Sequence, residues 1–325
     1  MSSATRWLIA CIEGVAASDL ERGATPRLAN ELLGDHALPE LRWPAGGACM
    51  DRWLELLDAQ HLRRAGWTVD SSSLLLSPPW RGDDSTLRQC ARRPGGPAQI
   101  TCLRLRDQAR QGMRHGLGSK AHVEALAKME SHLDRAREIL EQGSVPLRCL
   151  LLGYAPLQPV LRCFDAADHL QDCLPKGLLC ELELHQSPAL LHIRFAANEA
   201  MARAAELLSQ TPAASHGRLL TEAEAESAGI MLTGQEAIFA PLPGVAFHHR
   251  ALKAAPSLIE PSDAHPCALL PWTNDGRRSA GIEQVAQQLC TEIGLAAENR
   301  LISAHAGSAA IDLQASYPDL EGLYV

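Results

Sequence analysis

Residues 119–156 constrain the fold more than any other stretch of this chain. Val123, Leu126, Met129, Leu133, Ala136 and Leu140 recur at spacings of three and four, the stripe of an amphipathic helix. Ser119 stands at the N-cap position and Gly143 where such a helix stops. Glu124 with Lys128, and Arg137 with Glu141, place opposite charges four residues apart on the polar side. The next segment, VPLRCLLLGYAP, is a continuous apolar run bounded by Gly and Pro. Such a run marks a strand buried on both faces, which occurs where helices cover a mainly parallel sheet. The expected class is therefore α/β, layered α/β/α with mixed sheets.

The rest of the chain supports that class. Trp7–Val15 reads as a buried strand ended by Gly14, and Pro26 and Gly34 frame a helix. Met50–Ala65 forms a second helix with Trp53, Leu54, Leu57 and Leu62 on its apolar face. Ser, Pro and Gly crowd residues 68–100, which read as a long loop or insertion. Then come a helix-like LQPVLRCFDAADHLQDCL and strand-like GLLCELELH and LLHIRFA. NEAMARAAELL follows as a helix and GIMLTGQEAIFAPLPGVAF as two short strands. Ile282, Val285, Ala286, Leu289 and Ile293 mark a last amphipathic helix before the strand NRLISAHAG. The implied division is an N-terminal α/β segment at 1–67, the 68–100 insertion, a central helix with buried strands at 101–188, and a C-terminal α/β lobe at 189–325. Residues 120–153 and 279–307 share a helix–Gly–strand–Gly rhythm consistent with duplicated lobes.

Composition narrows the function. A net charge of -8 and only 4% aromatic residues disfavour nucleic acid, whose binders carry a basic face and stacking rings. No run approaches a membrane span or a signal peptide, so a soluble cytoplasmic protein is expected. The ten cysteines include no C-x-x-C, and several sit in apolar segments as small buried hydrophobes. Dinucleotide and P-loop glycine patterns, G-x-S-x-G and H-E-x-x-H are all missing.

Two families are resembled. LIACIEGVAASDLERGATPRLANELL resembles the opening of the alkaline-phosphatase-like phosphodiesterases, in which an acidic metal ligand and Gly end the first strand. Glu13, Gly14, Thr25, Pro26 and Leu28 hold the matching positions. Asp165, Asp168, His169, His216, Asp263 and His265 are the later candidates for paired-metal ligands. The match lacks the family's S-D-H-G and a Ser/Thr nucleophile motif after the first helix.

The second resemblance spans more chain. SHLDRAREILEQGSVPLRCLLLGYAP and IEQVAQQLCTEIGLAAENRLISAHAGSAAID resemble the thiolase-like fold of the β-ketoacyl synthases. That resemblance implies His305 as an active-site histidine, with Asp312 near the acidic residue beyond it. The family's nucleophilic Cys is replaced by Gly118-Ser119-Lys120-Ala121, and a serine hydroxyl is a poorer nucleophile than a thiolate. The expectation is a thiolase-like protein that binds an acyl-thioester (acyl carrier protein or acyl-CoA) without condensing activity. Ser119 and His305 would be its catalytic pair, and Lys120 and Asp312 its substrate contacts. It would be a homo- or heterodimer and need no cofactor or metal. The alternatives are a metal-dependent phosphoester hydrolase and a non-catalytic partner subunit.

Overall fold

A computed structural model describes residues 5–15, 19, 25, 27–28, 40–42, 69–70, 82–91, 99–141, 145–154, 156–175, 182–187, 189–196, 206, 208, 210–227, 232, 234–256, 265–270 and 279–281. The first half supplies β1 (Arg6–Glu13), β2 (Glu40–Arg42), β3 (Val69–Asp70), α1 (Asp83–Ala91), β4 (Ile100–Leu105), α2 (Asp107–His115), α3 (Lys120–Leu140) and β5 (Leu147–Tyr154). After these come β6 (Leu157–Pro159), β7 (Arg162–Cys163), α4 (Ala166–Cys173), β8 (Leu182–Ser187) and β9 (Leu190–Phe195). The last described elements are β10 (Gly217–Leu219), α5 (Glu222–Ser227), β11 (Glu236–Pro241), β12 (Val245–Ala246), β13 (Ala254–Pro256), β14 (His265–Leu270) and β15 (Ser279–Gly281). This is a mixed α/β fold with several sheets.

The main sheet has the order β15-β2-β14-β5-β1-β4-β3. β3, β4, β1 and β5 run parallel, whereas β14 runs antiparallel to both β5 and β2. β1 lies between β5 and β4, and every residue from Trp7 to Glu13 is buried. Its alternation sends Leu8, Ala10 and Ile12 to one face, where they meet Leu103, Leu105 and Leu151 under the α3 stripe. Leu126, Met129, Leu133, Ala136 and Leu140 form that stripe as expected. Val123 does not join it. It is 40% exposed, and His122 takes the buried place in the first turn. The spacing 122–126–129–133–136–140 keeps one face, so the first turn is read one residue too late if hydrophobicity alone is followed.

The described residues between 156 and 256 form a second layer inserted in sequence between the neighbouring strands β5 and β14. Its antiparallel sheet has the order β10-β11-β9-β8. Leu191, Ile193, Phe195 and Phe239 pack there with Phe247 and with Ala166, Leu170 and Leu174 of the α4 region. The two ends of the insertion meet where β6 pairs β13 and β7 pairs β12. Lys253 N–H donates to the Met113 carbonyl at 2.8 Å, which ties this junction to α2. Only Ala166–Cys173 of the expected helix LQPVLRCFDAADHLQDCL is helical, because β6 and β7 take its first part. Within 68–100 the chain forms β3, α1 and the start of β4. Among the described residues no helix is long and apolar enough to cross a membrane.

The helices expected at 50–65 and 282–293, and the strand ending at His305, lie outside the described residues. Gly14 ends β1 at φ +74, and a Cβ there would stand 2.7 Å from the Ala109 Cβ. Gly118 has the similar φ of +73 with no neighbouring atom within 4 Å. Gly14→Ala therefore adds overpacking to backbone strain and costs about 3 kcal/mol, against about 1 kcal/mol for Gly118→Ala. Denaturant unfolding of the two variants checks the difference, and equal losses would refute the close approach of α2 to the turn.

Candidate functional site

In open α/β sheets ligands bind outside the carboxyl ends of the parallel strands. Here that edge is the row reached by the ends of β4, β1 and β5. Ile12 stands opposite Leu105 and Glu13 opposite Tyr154. On the antiparallel neighbour, Cys267 stands opposite Leu152, so the same register carried two residues further brings His265 level with Tyr154. The backbone row is thus Arg106, Glu13, Tyr154 and His265. With strands about 4.8 Å apart, His265 lies roughly 10 Å from Glu13.

Glu13 is the charged group at the centre of this row. Its side chain is 7% exposed and takes a 3.0 Å hydrogen bond from Arg104 Nη2, whose side chain is 13% exposed. Arg104 faces Cys11 across the β1–β4 ladder, a diagonal step from Glu13 on the same face, within reach of a long side chain. That face is opposite the one packed on α3. Gln108 is fully buried and holds the chain reversal: its Nε2 donates to the carbonyls of Glu13 at 2.8 Å and Leu105 at 2.9 Å.

Below the end of β4, two helix starts cap one another. The Asp83 carboxylate accepts from the N–H groups of Arg106 and Asp107 at 3.1–3.2 Å. In return, the Asp107 carboxylate accepts from Asp83 N–H at 3.0 Å. Free N–H groups at helix starts demand such acceptors. Burial, and then the charge of Asp107, push the Asp83 carboxyl up to about 7 against the lowering effect of those N–H donors and Arg110. Asp84 faces the other way and takes Lys128 Nζ at 2.8 Å and His132 Nε2 at 2.9 Å. The Lys128 hydrogen bond holds the Asp84 carboxyl below its usual value. Glu130 of α3, also buried, accepts Leu28 N–H at 2.7 Å and so anchors the segment after β1.

Of the sequence-derived site residues, Ser119 and Lys120 are among the described ones. Ser119 is the N-cap of α3 and its Oγ accepts His122 N–H at 3.2 Å. Lys120 is 90% exposed and faces Glu124 at 3.8 Å. Both serve the helix start. His305 and Asp312 lie outside the described residues.

Of the candidate metal ligands, Asp165 caps α4 by accepting Asp168 N–H and also takes Gln186 Nε2, each at 3.1 Å. His169 and His216 flank the Phe164 ring at 5.2 and 4.2 Å between centroids. Burial, then Arg162 nearby, lower the His216 pKa. These groups belong to the inserted layer, whereas Glu13 belongs to the main sheet. Asp263 lies outside the described residues, and of His265 the structure gives the strand position alone. Among the described residues no three His, Cys, Asp or Glu side chains are placed to hold a metal ion. The Glu13 carboxylate takes the Arg104 guanidinium, while the Gln108 amide reaches its backbone carbonyl, and β5 ends on Gly153 and Tyr154. The described residues do not fit a paired-metal centre.

Arg104, Gln108, Asp83 and Asp107 were not singled out from the sequence. The available signals were the arginine inside the apolar strand ITCLRL and the Asp pair opening a helix after Gly82.

No protein-family model and no curated protein matches the sequence. Solved structures do match the fold. An inactive variant of murine ectonucleotide pyrophosphatase/phosphodiesterase 5 in complex with AMP superposes with a TM-score of 0.65 at 11% identity, over 90% of this chain and 96% of that one. The murine protein in a second structure gives 0.64 over the same shares. The human protein gives 0.56 at 14% identity, over 75% of this chain and 70% of that one. At such identity the likeness establishes the fold. It overturns the thiolase-like expectation and, with it, the β-ketoacyl-synthase-like function in fatty acid or polyketide metabolism. The helix–strand pair α3–β5 that carried the expectation is a generic parallel α/β unit. Here it is followed by an antiparallel insertion and an antiparallel β14. The acyl carrier or acyl-CoA partner loses its premise at the same time.

Asp83 sets a pH signature. Its raised carboxyl means the native state holds a proton that the unfolded chain has released, so its contribution to stability is complete below about 3.8 and is lost as pH rises to about 7. Asp83→Asn cannot lose a proton and keeps an oxygen acceptor. Its melting temperature is expected to gain on the wild type between those values and to run parallel above them. A constant offset across the range would refute the assignment.

Proposed function

We propose that this chain binds a phosphate ester of the nucleotide class at the carboxyl edge of β4, β1 and β5. The observation that carries the reading is the near whole-length match of fold, 90% of this chain and 96% of the other, to a nucleotide pyrophosphatase/phosphodiesterase solved in complex with AMP. A sheet of this construction offers its ligand crevice at that edge, and there this chain has Glu13, Arg104 and Arg106. A guanidinium is the side chain best suited to a phosphoryl group, because its planar donors match the oxygens and it keeps its charge at every working pH. Among the described residues, Cys163 and Cys173 are reduced thiols, which suits a reducing compartment, and the proposal extends to a cytoplasmic location.

A second reading, metal-dependent phosphoester hydrolysis, has one observation in its favour. Glu13 and His265 occupy the same row of the sheet, two strands apart, and both are ligand-type residues. Two measurements separate the readings. Titration calorimetry with AMP is expected to give saturable binding, and its absence would remove the first reading. Hydrolysis of bis(4-nitrophenyl) phosphate is expected to show no stimulation by Zn2+ or Mn2+. Stimulation that Glu13→Gln abolishes would establish the second.

A further inference from the structure

We infer that the outer edge of β8 is an interaction surface for a second copy of this chain, the two β8 strands pairing antiparallel about a two-fold axis at Leu184. The inference is independent of the phosphoester reading, because β8 belongs to the inserted layer and not to the sheet edge at Glu13.

β8 is the last strand in the order β10-β11-β9-β8. Among the described residues its backbone pairs with β9 alone. Only two residues separate Ser187 from Leu190, so these two can pair only by exchanging both backbone hydrogen bonds. The alternation then turns the N–H and C=O groups of Glu183, His185 and Ser187 towards β9, and those of Leu182, Leu184 and Gln186 outwards. Such a row of outward groups is a template for a further strand.

The side chains suit an added strand as well. Leu182 and Leu184 are only partly buried where they pack with the α4 core, so apolar surface remains to be covered. On the opposite face the Glu183 side chain is 66% exposed, and His185 is exposed too. The edge is held in shape beforehand. Gln186 Oε1 accepts Ala167 N–H at 2.7 Å and its Nε2 donates to Asp165 at 3.1 Å, which fixes β8 against the start of α4.

A second copy fits because the strand is complementary to itself. In a two-fold pair the α4-covered faces stay on one side only when the axis passes through a residue. An axis at Leu184 gives three mutually bonded pairs, Leu182 with Gln186, Leu184 with Leu184 and Gln186 with Leu182. It also sets Glu183 opposite His185 of the second copy, once on each side of the axis. An imidazole offers a carboxylate an N–H donor in either protonation state. An axis at His185 would give two bonded pairs, place His185 against itself and leave Glu183 opposite Ser187. Charge and hydrogen bonding therefore select Leu184, and the two four-stranded sheets run on as one.

Sedimentation velocity of the full chain over a dilution series is expected to show a reversible monomer–dimer equilibrium. Glu183→Lys and His185→Glu each destroy the complementarity, and each is expected to raise the dimer dissociation constant about tenfold. The double variant restores an opposite-charge pair across the axis and is expected to recover the wild-type constant. A role in folding alone would not give that rescue.

A wild type that sediments as a monomer at every concentration would overturn the inference. So would a dimer that the single variants leave intact, or one that the double variant does not recover, since either puts the interface elsewhere. Should a single variant fail to fold, hydrogen exchange of the wild type decides. The backbone amides of Leu184 and Gln186 are expected to be protected above the dimerisation midpoint and to exchange faster below it. Equal exchange on both sides of the midpoint would refute the pairing.

Discussion

Burial of β1 on both faces is the constraint from which the rest of the site follows. With β4 on one side and β5 on the other, each residue from Trp7 to Glu13 is removed from water. Six of those seven positions, Trp7 to Ile12, are apolar and lose nothing by it. The seventh, the Glu13 carboxylate, is charged and has to be answered from inside the protein. Arg104 answers it across the ladder, and Gln108 satisfies the carbonyl of the same residue. A buried ion pair contributes less to stability than its short distance suggests, because both ions lose hydration.

Around that edge the polar groups are arranged to satisfy helix starts. Asp83 and Asp107 exchange carboxylates between α1 and the start of α2, and Glu130 reaches from α3 to the segment after β1. Each acceptor meets N–H groups that have no partner within their own helix. Two carboxylates are brought close by this exchange, and one of them, Asp83, is pushed towards neutrality. Asp84, one residue on, escapes that fate because Lys128 and His132 face it. The burial of adjacent residues therefore decides two opposite electrostatic outcomes from the same side chain.

The inserted layer shows how far a local pattern can be trusted. Its strands β8 and β9 fall within the strand-like GLLCELELH and LLHIRFA, whereas α4 takes only the second half of the helix expected over LQPVLRCFDAADHLQDCL. His169 and His216, whose residue type in sequence suggested metal ligation, come together there with Phe164 as a ring cluster beside a hydrophobic core. Histidines and aspartates scattered along a chain look alike whether they cap a helix, stack on a ring or hold an ion. Their neighbours in space make the distinction. The same limit explains the thiolase-like expectation, since an amphipathic helix followed by a buried strand belongs to every parallel α/β fold.

What the amino-acid order determined by itself was local. The α3 stripe and its Ser119 cap, the two-sided burial of β1 and β5 and the turn at Gly14 all follow from periodicity and from residues within a few positions of one another. Tertiary structure decided which strands became neighbours, that β14 runs against them, and which partner each buried charge received. Glu13 and Arg104 are 91 residues apart in sequence, and the Asp83–Asp107 exchange spans 24. No local pattern encodes such pairings, because strand order and register bring those side chains within hydrogen-bonding distance only after the sheet has formed. The thiolase-like reading failed for that reason, and the carboxylate at the end of the first strand acquired its chemistry for the same one.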